Sequence, residues 1–403
     1  MSFDPSAARA EFPILQRQVH GRPLVYLDSA ASAQKPQAVI DAFVGAMTGS
    51  YANVHRGLHT LANETTEAYE AARVSVAEFI NAGSDREVVF TKGATEAINL
   101  IAATLDLKAG DEVVLSEMEH HANIVPWHLL RERKGVVLRF VPVTDVGELD
   151  LEAYRSLLGP RTRMVSMVHM SNVLGTVIPV AEVVAGARSV GALVLLDGCQ
   201  AAVHQRIDVQ ALGCDFYVFS GHKLYGPTGI GVLWGKPERL AELPPYQGGG
   251  EMIDTVSFDR ITYAEPPGRF EAGTPAILEA IALGAAVRWL QGLDREAIAA
   301  HEKSLYDRVV GGLEGANDIR VIGEAPGKGA IFAFNLEGAH AHDVAQILDR
   351  YGVAVRAGTH CAEPLMRRFG VTSSARASFA LYNTVEDADA FVEALGKARS
   401  FFA

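Results

Sequence analysis

Lys223 follows the apolar run FYVF at residues 216–219 and lies within SGHKLYGPTGIGVLW, residues 220–234. An amine at the carboxyl end of a buried strand, with Ser220 and His222 beside it and glycines opening the turn, sits where a carbonyl can reach it. Lys223 therefore reads as a Schiff-base lysine. Upstream, ALVLLDGCQ puts Asp197 at the end of a second apolar strand, with Gln200 three residues further on. An Asp paired with such a lysine is what pyridoxal phosphate (PLP) needs: the carboxylate keeps the pyridine nitrogen protonated so that the ring can take up electrons, and the lysine carries the aldehyde. The plain alternative, a surface lysine in a Gly-rich turn, does not account for Asp197, Gln200, Ser220 and His222 around it.

Other residues gather around that pair. EVVFTKGATEAINL reads as strand, turn and helix, with backbone N–H groups, a glycine and the Thr95 hydroxyl forming a phosphate cradle at the helix start. The loop EHHANIVPW carries His120, whose imidazole can stack on a cofactor ring and move protons near neutral pH. A metal site on His120 and His121 is disfavoured, because adjacent histidines point apart and no third ligand has a suitable spacing; no metal is expected. Asn172 ends another apolar strand and can hydrogen-bond a ring substituent. Thr274, in the Gly/Pro-rich stretch PPGRFEAGTP, can complete a phosphate site across a subunit boundary. For His55, in YANVHRGLH, a site role and a structural role beside a helix both stay open.

Cys361 lies in RAGTHCAEPLM, a Gly/Thr/Pro loop outside any apolar strand, and reads as a reactive thiol. Cys199 and Cys214 read instead as small apolar residues of a packed sheet. Arg356, five residues before Cys361, and Arg376, at the start of a strand, can each grip a substrate carboxylate bidentately.

The elements that position these groups are short apolar strands alternating with helices, which argues for an α/β fold with a mostly parallel, doubly wound sheet binding its ligand at the strand carboxyl ends. Thr95, His120, Asn172, Asp197 and Lys223 all fall at such ends. A helix over 276–291 closes a large domain of residues 23–292. Residues 293–403, with IFAFNL, VAVRAG and ARASFALY as strands, form a smaller α+β domain with which residues 1–22 pack. The excursion from Pro244 to Pro275, with a hairpin around 256–262, reads as a lid or an interface.

Composition sets limits. The 403 residues carry 48 Asp plus Glu against 36 Lys plus Arg, a net charge of −12, so a nucleic-acid partner is not expected. No apolar run reaches the length of a membrane span, and the start MSFDPSAARAEF has neither a basic nor an apolar leader segment, so a cytoplasmic location is expected. Three cysteines without a CxxC pair argue against a disulfide framework.

Taken together, LDSAASAQKP, YANVHRG, GATEAIN, EHHANIVPW, DGCQ, SGHKLYGPTGIGVL, FEAGTP and RAGTHC resemble the PLP-dependent cysteine desulfurases of the class V aminotransferase family, in their SUF-type and selenocysteine lyase group. The resemblance covers nearly the whole chain. It implies PLP fold type I with a seven-stranded sheet, and a homodimer with sites at the subunit interface. It further implies that Lys223 holds PLP, Asp197 the pyridine nitrogen, His120 the ring face and Gln200 the phenolic oxygen. Thr95, Ser220 and His222 take the phosphate, with Thr274 donated by a second subunit; Arg376 and Asn172 take the substrate carboxylate, and Arg356 and His55 join the substrate side. Cys361 becomes the sulfur-accepting nucleophile, converting L-cysteine to L-alanine and passing sulfur to a small acceptor protein of the SUF system for iron–sulfur cluster assembly. The resemblance also admits L-selenocysteine, and the sequence does not rank the two as physiological substrate. Two positions depart from the family's pattern: Thr359 stands where many relatives have a histidine, and Ala94 where some have a threonine.

Two rivals follow from the same scaffold. A kynureninase-like hydrolase or an aminotransferase needs no nucleophilic cysteine, and a non-catalytic sulfur carrier needs no complete set of Lys223, Asp197 and His120.

Overall fold

The computed structural model describes residues 3–402. Seven strands form the central sheet: β1 (Val88–Thr91), β2 (Glu112–Ser116), β3 (Val137–Val141), β4 (Thr162–Val168), β5 (Leu193–Asp197), β6 (Phe216–Ser220) and β7 (Gly231–Gly235). Their spatial order is β1-β7-β6-β5-β4-β2-β3. Every pairing is parallel except those of β7, which runs antiparallel to both β1 and β6.

These strands are near-continuous apolar runs, as expected of a sheet covered on both faces. Alternate side chains feed two cores. Val89, Val113, Leu195, Val218 and Leu233 pack under the helices Ala94–Thr104 and Val125–Lys134. Phe90, Val114, Leu196, Phe219 and Val232 face the opposite core, which reaches the helices Thr60–Phe79 and Ile277–Gln291. The second of these helices begins one residue later than the sequence suggests.

A second sheet, antiparallel, contains β8 (Ile319–Ile322), β9 (Ile331–Leu336), β10 (Arg356–Gly358) and β11 (Ser374–Ser378), in the order β8-β9-β11-β10. It packs with the helices Arg295–Gly312, Ala341–Arg350 and Val385–Phe402 around a third core.

Three details differ from the sequence expectation. VAVRAG is split, because Val353–Ala354 pairs with Val25–Tyr26 and only Arg356–Gly358 joins the sheet. The strand ARASFALY ends at Ser378, and β8 was not anticipated. The N-terminal stretch touches both parts of the chain: Arg9 pairs with Asp387 at 2.9 Å and Asp28 forms an isolated parallel bridge with Ser378, while Phe12 packs edge-on against Tyr225 and Trp289. A hairpin of Ile253–Val256 and Ile261–Tyr263 occupies the Gly/Pro-rich excursion, with Phe258 fully exposed at its tip.

Candidate active site

A cavity of about 250 Å³ opens at the carboxyl ends of the central strands. It brings together Thr95, His120, Asn172, Asp197, Ser220, His222, Lys223 and Arg356, with Ala30, Ala31, Ala94, Ala122 and Cys199 completing the wall. Lys223 ends a single tight turn, Gly221–Lys223, directly after β6. Asp197 is the last residue of β5, the strand beside it. One Asp197 oxygen accepts the Cys199 N–H at 3.0 Å, which leaves the other for a ring N–H. Gly198 is required here, since a Cβ would fall 2.1 Å from the Tyr217 ring.

The cradle beside them is closed at Gly231, where the backbone of Gly93 leaves no space for a Cβ. Gly93, at φ +155°, precedes the helix Ala94–Thr104, and a Cβ on Gly231 would approach its Cα to 2.4 Å. Ser220 Oγ accepts the Ala94 N–H at 2.9 Å, so the hydroxyl lies at the helix start with its own proton free to donate. Thr95, in the first turn, lines the same wall. A glycine before a helix N-terminus and the hydroxyls of Thr95 and Ser220 fit a phosphate, and the Asp197–Lys223 pair fits a pyridinium aldehyde. The residues present thus fit PLP.

Burial sets the protonation of the imidazoles. It pushes His120 down to about 4, with Lys223 adding to the effect, and pushes His222 down to about 4 beside Lys223 and Lys35. His120 Nδ1 accepts the Ala122 N–H at 3.0 Å, so the neutral ring carries its proton on Nε2. Its loop stands on a buried network that the sequence reading missed. Asn123 donates to Glu119 Oε2 at 2.7 Å, and Asn123 Oδ1 accepts from Ser166 at 2.6 Å and from Trp127 at 3.2 Å. Burial raises the Glu119 carboxyl to about 7.

The other expected residues stand outside the cavity wall. Gln200 is buried and donates to the carbonyl of Ala30, a wall residue, at 2.8 Å. Arg376 is completely buried; it donates to Asp28 at 3.0 Å and to the Asn172 carbonyl at 2.7 Å, leaving its Nε–H without a partner. Asn172 Oδ1 is likewise buried and unpaired. Cys361 is half-buried, with Sγ 3.6 Å from Arg356 Nη2, so Arg356 links the thiol to the cavity. Thr274 is exposed and lines a different recess with Tyr69, Lys92 and Gln247, while His55 is exposed and bonded to Glu70 at 2.8 Å. Within one subunit neither reaches the Lys223 cavity.

Cys214 is a buried core residue as expected, though it stands just before β6 and not in a strand, whereas Cys199 also contributes to the cavity wall, a place that its apolar surroundings in the sequence did not suggest. Burial pushes both thiols up to about 12, so neither is a ready nucleophile.

The seven-stranded sheet, the small second sheet and a lysine site at the strand ends define a PLP-binding α/β protein of fold type I. The class-V aminotransferase family model matches residues 25–391, and the chain belongs to that family. It is 51% identical to a cysteine desulfurase of Serratia proteamaculans over 98% of both chains. Against a cysteine desulfurase of Dickeya dadantii it is 53% identical, covering 96% of this chain and 95% of the other. Among solved structures, a cysteine desulfurase from Escherichia coli superposes with a TM-score of 0.93 at 41% identity, over the full length of both chains. An apo cysteine desulfurase from Thermococcus onnurineus NA1 gives a TM-score of 0.93 at 36% identity, covering 100% of this chain and 98% of the other.

Proposed function

We propose that this protein is a PLP-dependent cysteine desulfurase that converts L-cysteine to L-alanine and holds the sulfur as a persulfide on Cys361. The observation that carries this reading is the contact of the Cys361 thiol with Arg356, a residue of the wall shared with Lys223. A hydrolase or aminotransferase of the same family has no use for a thiol there.

Lys223 and Asp197 would hold the cofactor at its aldehyde and its ring nitrogen, and His120 would lie on the ring face. Gln200 serves the phenolic oxygen, and Thr95, Ser220 and His222 the phosphate. Bound there, PLP supplies an electron sink for charge developing at the substrate α-carbon. The chain's own groups do the rest. The unpaired Arg376 Nε–H, Asn172 and Arg356 orient the substrate carboxylate, with His55 on the substrate side. The Lys223 amine removes the α-proton and returns protons with His120 Nε2–H. The Cys361 thiolate attacks the substrate sulfur: the S–S bond forms, the C–S bond breaks, and its electron pair stays on the carbon that becomes the alanine methyl group. The net change is L-cysteine plus thiol to L-alanine plus persulfide.

The working unit is a homodimer in which Thr274 of each subunit completes the phosphate site of the other. Support comes from the exposure of Thr274 outside its own cavity and from apolar side chains left at the surface, among them Val44, Met47, Tyr51, Leu58 and Phe258. The division into residues 23–292 and 293–403 is part of the same reading, with residues 1–22 packed on the small domain. A small SUF-type acceptor protein takes the sulfur toward iron–sulfur cluster assembly in the cytoplasm, and L-selenocysteine is a second substrate. Among the described residues no helix is long and apolar enough to cross a membrane.

The test is a first-turnover assay. The PLP-loaded, yellow protein given L-cysteine releases alanine and gains protein-bound persulfide in equal amounts; release of pyruvate, or no alanine, contradicts the assignment.

A further inference from the structure

The turn that carries the thiol has the wrong residue types for its backbone. Ala362 N–H donates to the Thr359 carbonyl at 2.9 Å, and the two residues between, His360 and Cys361, have φ +53° and +57°. A reversal closed by that bond with both central residues left-handed is a type I′ turn, whose central pair is ordinarily Asn-Gly. Histidine and cysteine carry a Cβ penalty there, which persists only where neighbouring groups over-determine the backbone.

Those groups come from the segments around Asn172 and His121 and from the start of β11. Asn172 Nδ2 donates to the His360 carbonyl at 2.8 Å, and His360 Nε2 lies 3.0 Å from the Ser374 carbonyl. His121 makes two bonds to this segment. Its backbone N–H donates to the Cys361 carbonyl at 2.6 Å, and its ring Nε2 accepts the Glu363 N–H at 3.0 Å. It therefore grips the chain on both sides of Ala362, at the exit of the turn and at the first residue of the helix Glu363–Arg368. It also follows directly on His120, the histidine of the cavity wall.

We infer that His121 is a positioning residue for the thiol: its ring, accepting the Glu363 N–H, holds Cys361 in the left-handed turn that sets Sγ beside Arg356. The inference rests on the reading of Cys361 as the sulfur acceptor. It adds that the loop bearing the cofactor-face histidine also fixes where the nucleophile stands.

The test compares His121→Ala and His121→Gln in the PLP-loaded full-length protein, because a glutamine carboxamide oxygen can accept the same N–H. Three readouts are taken: the visible spectrum, kcat and KM for L-cysteine, and the rate of iodoacetamide alkylation at Cys361, followed by peptide mass without L-cysteine present. In His121→Ala the spectrum is unchanged, KM stays within about twofold and kcat falls about tenfold or more, because the nucleophile is displaced rather than removed. Alkylation of Cys361 accelerates about threefold or more as the turn opens. His121→Gln recovers at least half of each change. Wild-type kcat and alkylation in His121→Ala overturn the inference, as does a kcat loss that comes with an altered spectrum or that glutamine leaves unrepaired. If the wild type itself released no alanine, the functional reading would fall, and the alkylation comparison would still decide whether His121 clamps the turn.

Discussion

The cofactor side of the cavity stands on the ends of adjacent strands in one buried sheet, whereas the thiol side hangs on a single left-handed turn leading from a short strand of the second sheet. Lys223 and Asp197 need no long-range partner to be where they are, because β5 and β6 pair in register and deliver both side chains to one edge. Cys361 is held by bonds from His121, more than two hundred residues earlier in the chain, and through His360 by Asn172. A ring that must stay put is given a rigid frame. The thiol proposed to take up sulfur is given instead a turn whose stability is borrowed from its neighbours.

The comparison breaks most severely at Lys223. On the proposed roles, Lys223→Ala removes both the cofactor's anchor and the group that moves the α-proton, so the visible band should be lost and alanine formation should drop by about a thousandfold or more. A variant that kept colour and turnover would move the anchor elsewhere.

A middle-sized effect is expected at Arg376, which ties the two sides together through Asp28 and the Asn172 carbonyl. Burial lowers its guanidinium to about 10, with Asp28 opposing the effect. Arg376→Lys keeps the charge but loses the planar fork, and KM for L-cysteine should rise about tenfold to a hundredfold with a smaller change in kcat. A lowered Tm with unchanged KM would make Arg376 a purely architectural link.

The smallest effect concerns the frame under His120. Burial raises the Glu119 carboxyl from its ordinary value to about 7, so the stability that its protonation contributes is fully present below about pH 4.5 and is lost as the pH rises through about 7. In Glu119→Gln, which mimics the protonated form, this loss is absent. Relative to the variant, the wild type should lose up to about 3 kcal/mol between those pH values, read from thermal unfolding across the range. A difference that stays flat with pH would place the carboxyl in water.

What the sequence disclosed follows the same division. LVLLD and FYVFS announce buried strands by their composition, and a polar residue ending such a run has only the strand end to occupy, so Asp197 and Lys223 were legible. The Glu119–Asn123–Ser166 network was not, because a buried polar side chain and an exposed one look alike until the sheet places β2 beside β4. The type I′ turn at Cys361 was hidden for a related reason: its local signature is Asn-Gly, and THC adopts it only through contacts made across the fold. VAVRAG looked continuous because its break is caused by a partner, Val25–Tyr26, that lies more than three hundred residues away.

The most direct test of the account is to locate the sulfur. Wild type, Cys361→Ser and Cys199→Ser, each loaded with PLP, are mixed with one equivalent of L-cysteine, and alanine and persulfide-bearing peptides are measured together. Persulfide is expected on the Cys361 peptide in wild type and in Cys199→Ser. Cys361→Ser should keep its colour but release alanine at least about a hundredfold more slowly, since a hydroxyl that stays protonated near neutral pH is a poor nucleophile toward sulfur. Alanine released by Cys361→Ser at the wild-type rate, or sulfur found on Cys199, would contradict it.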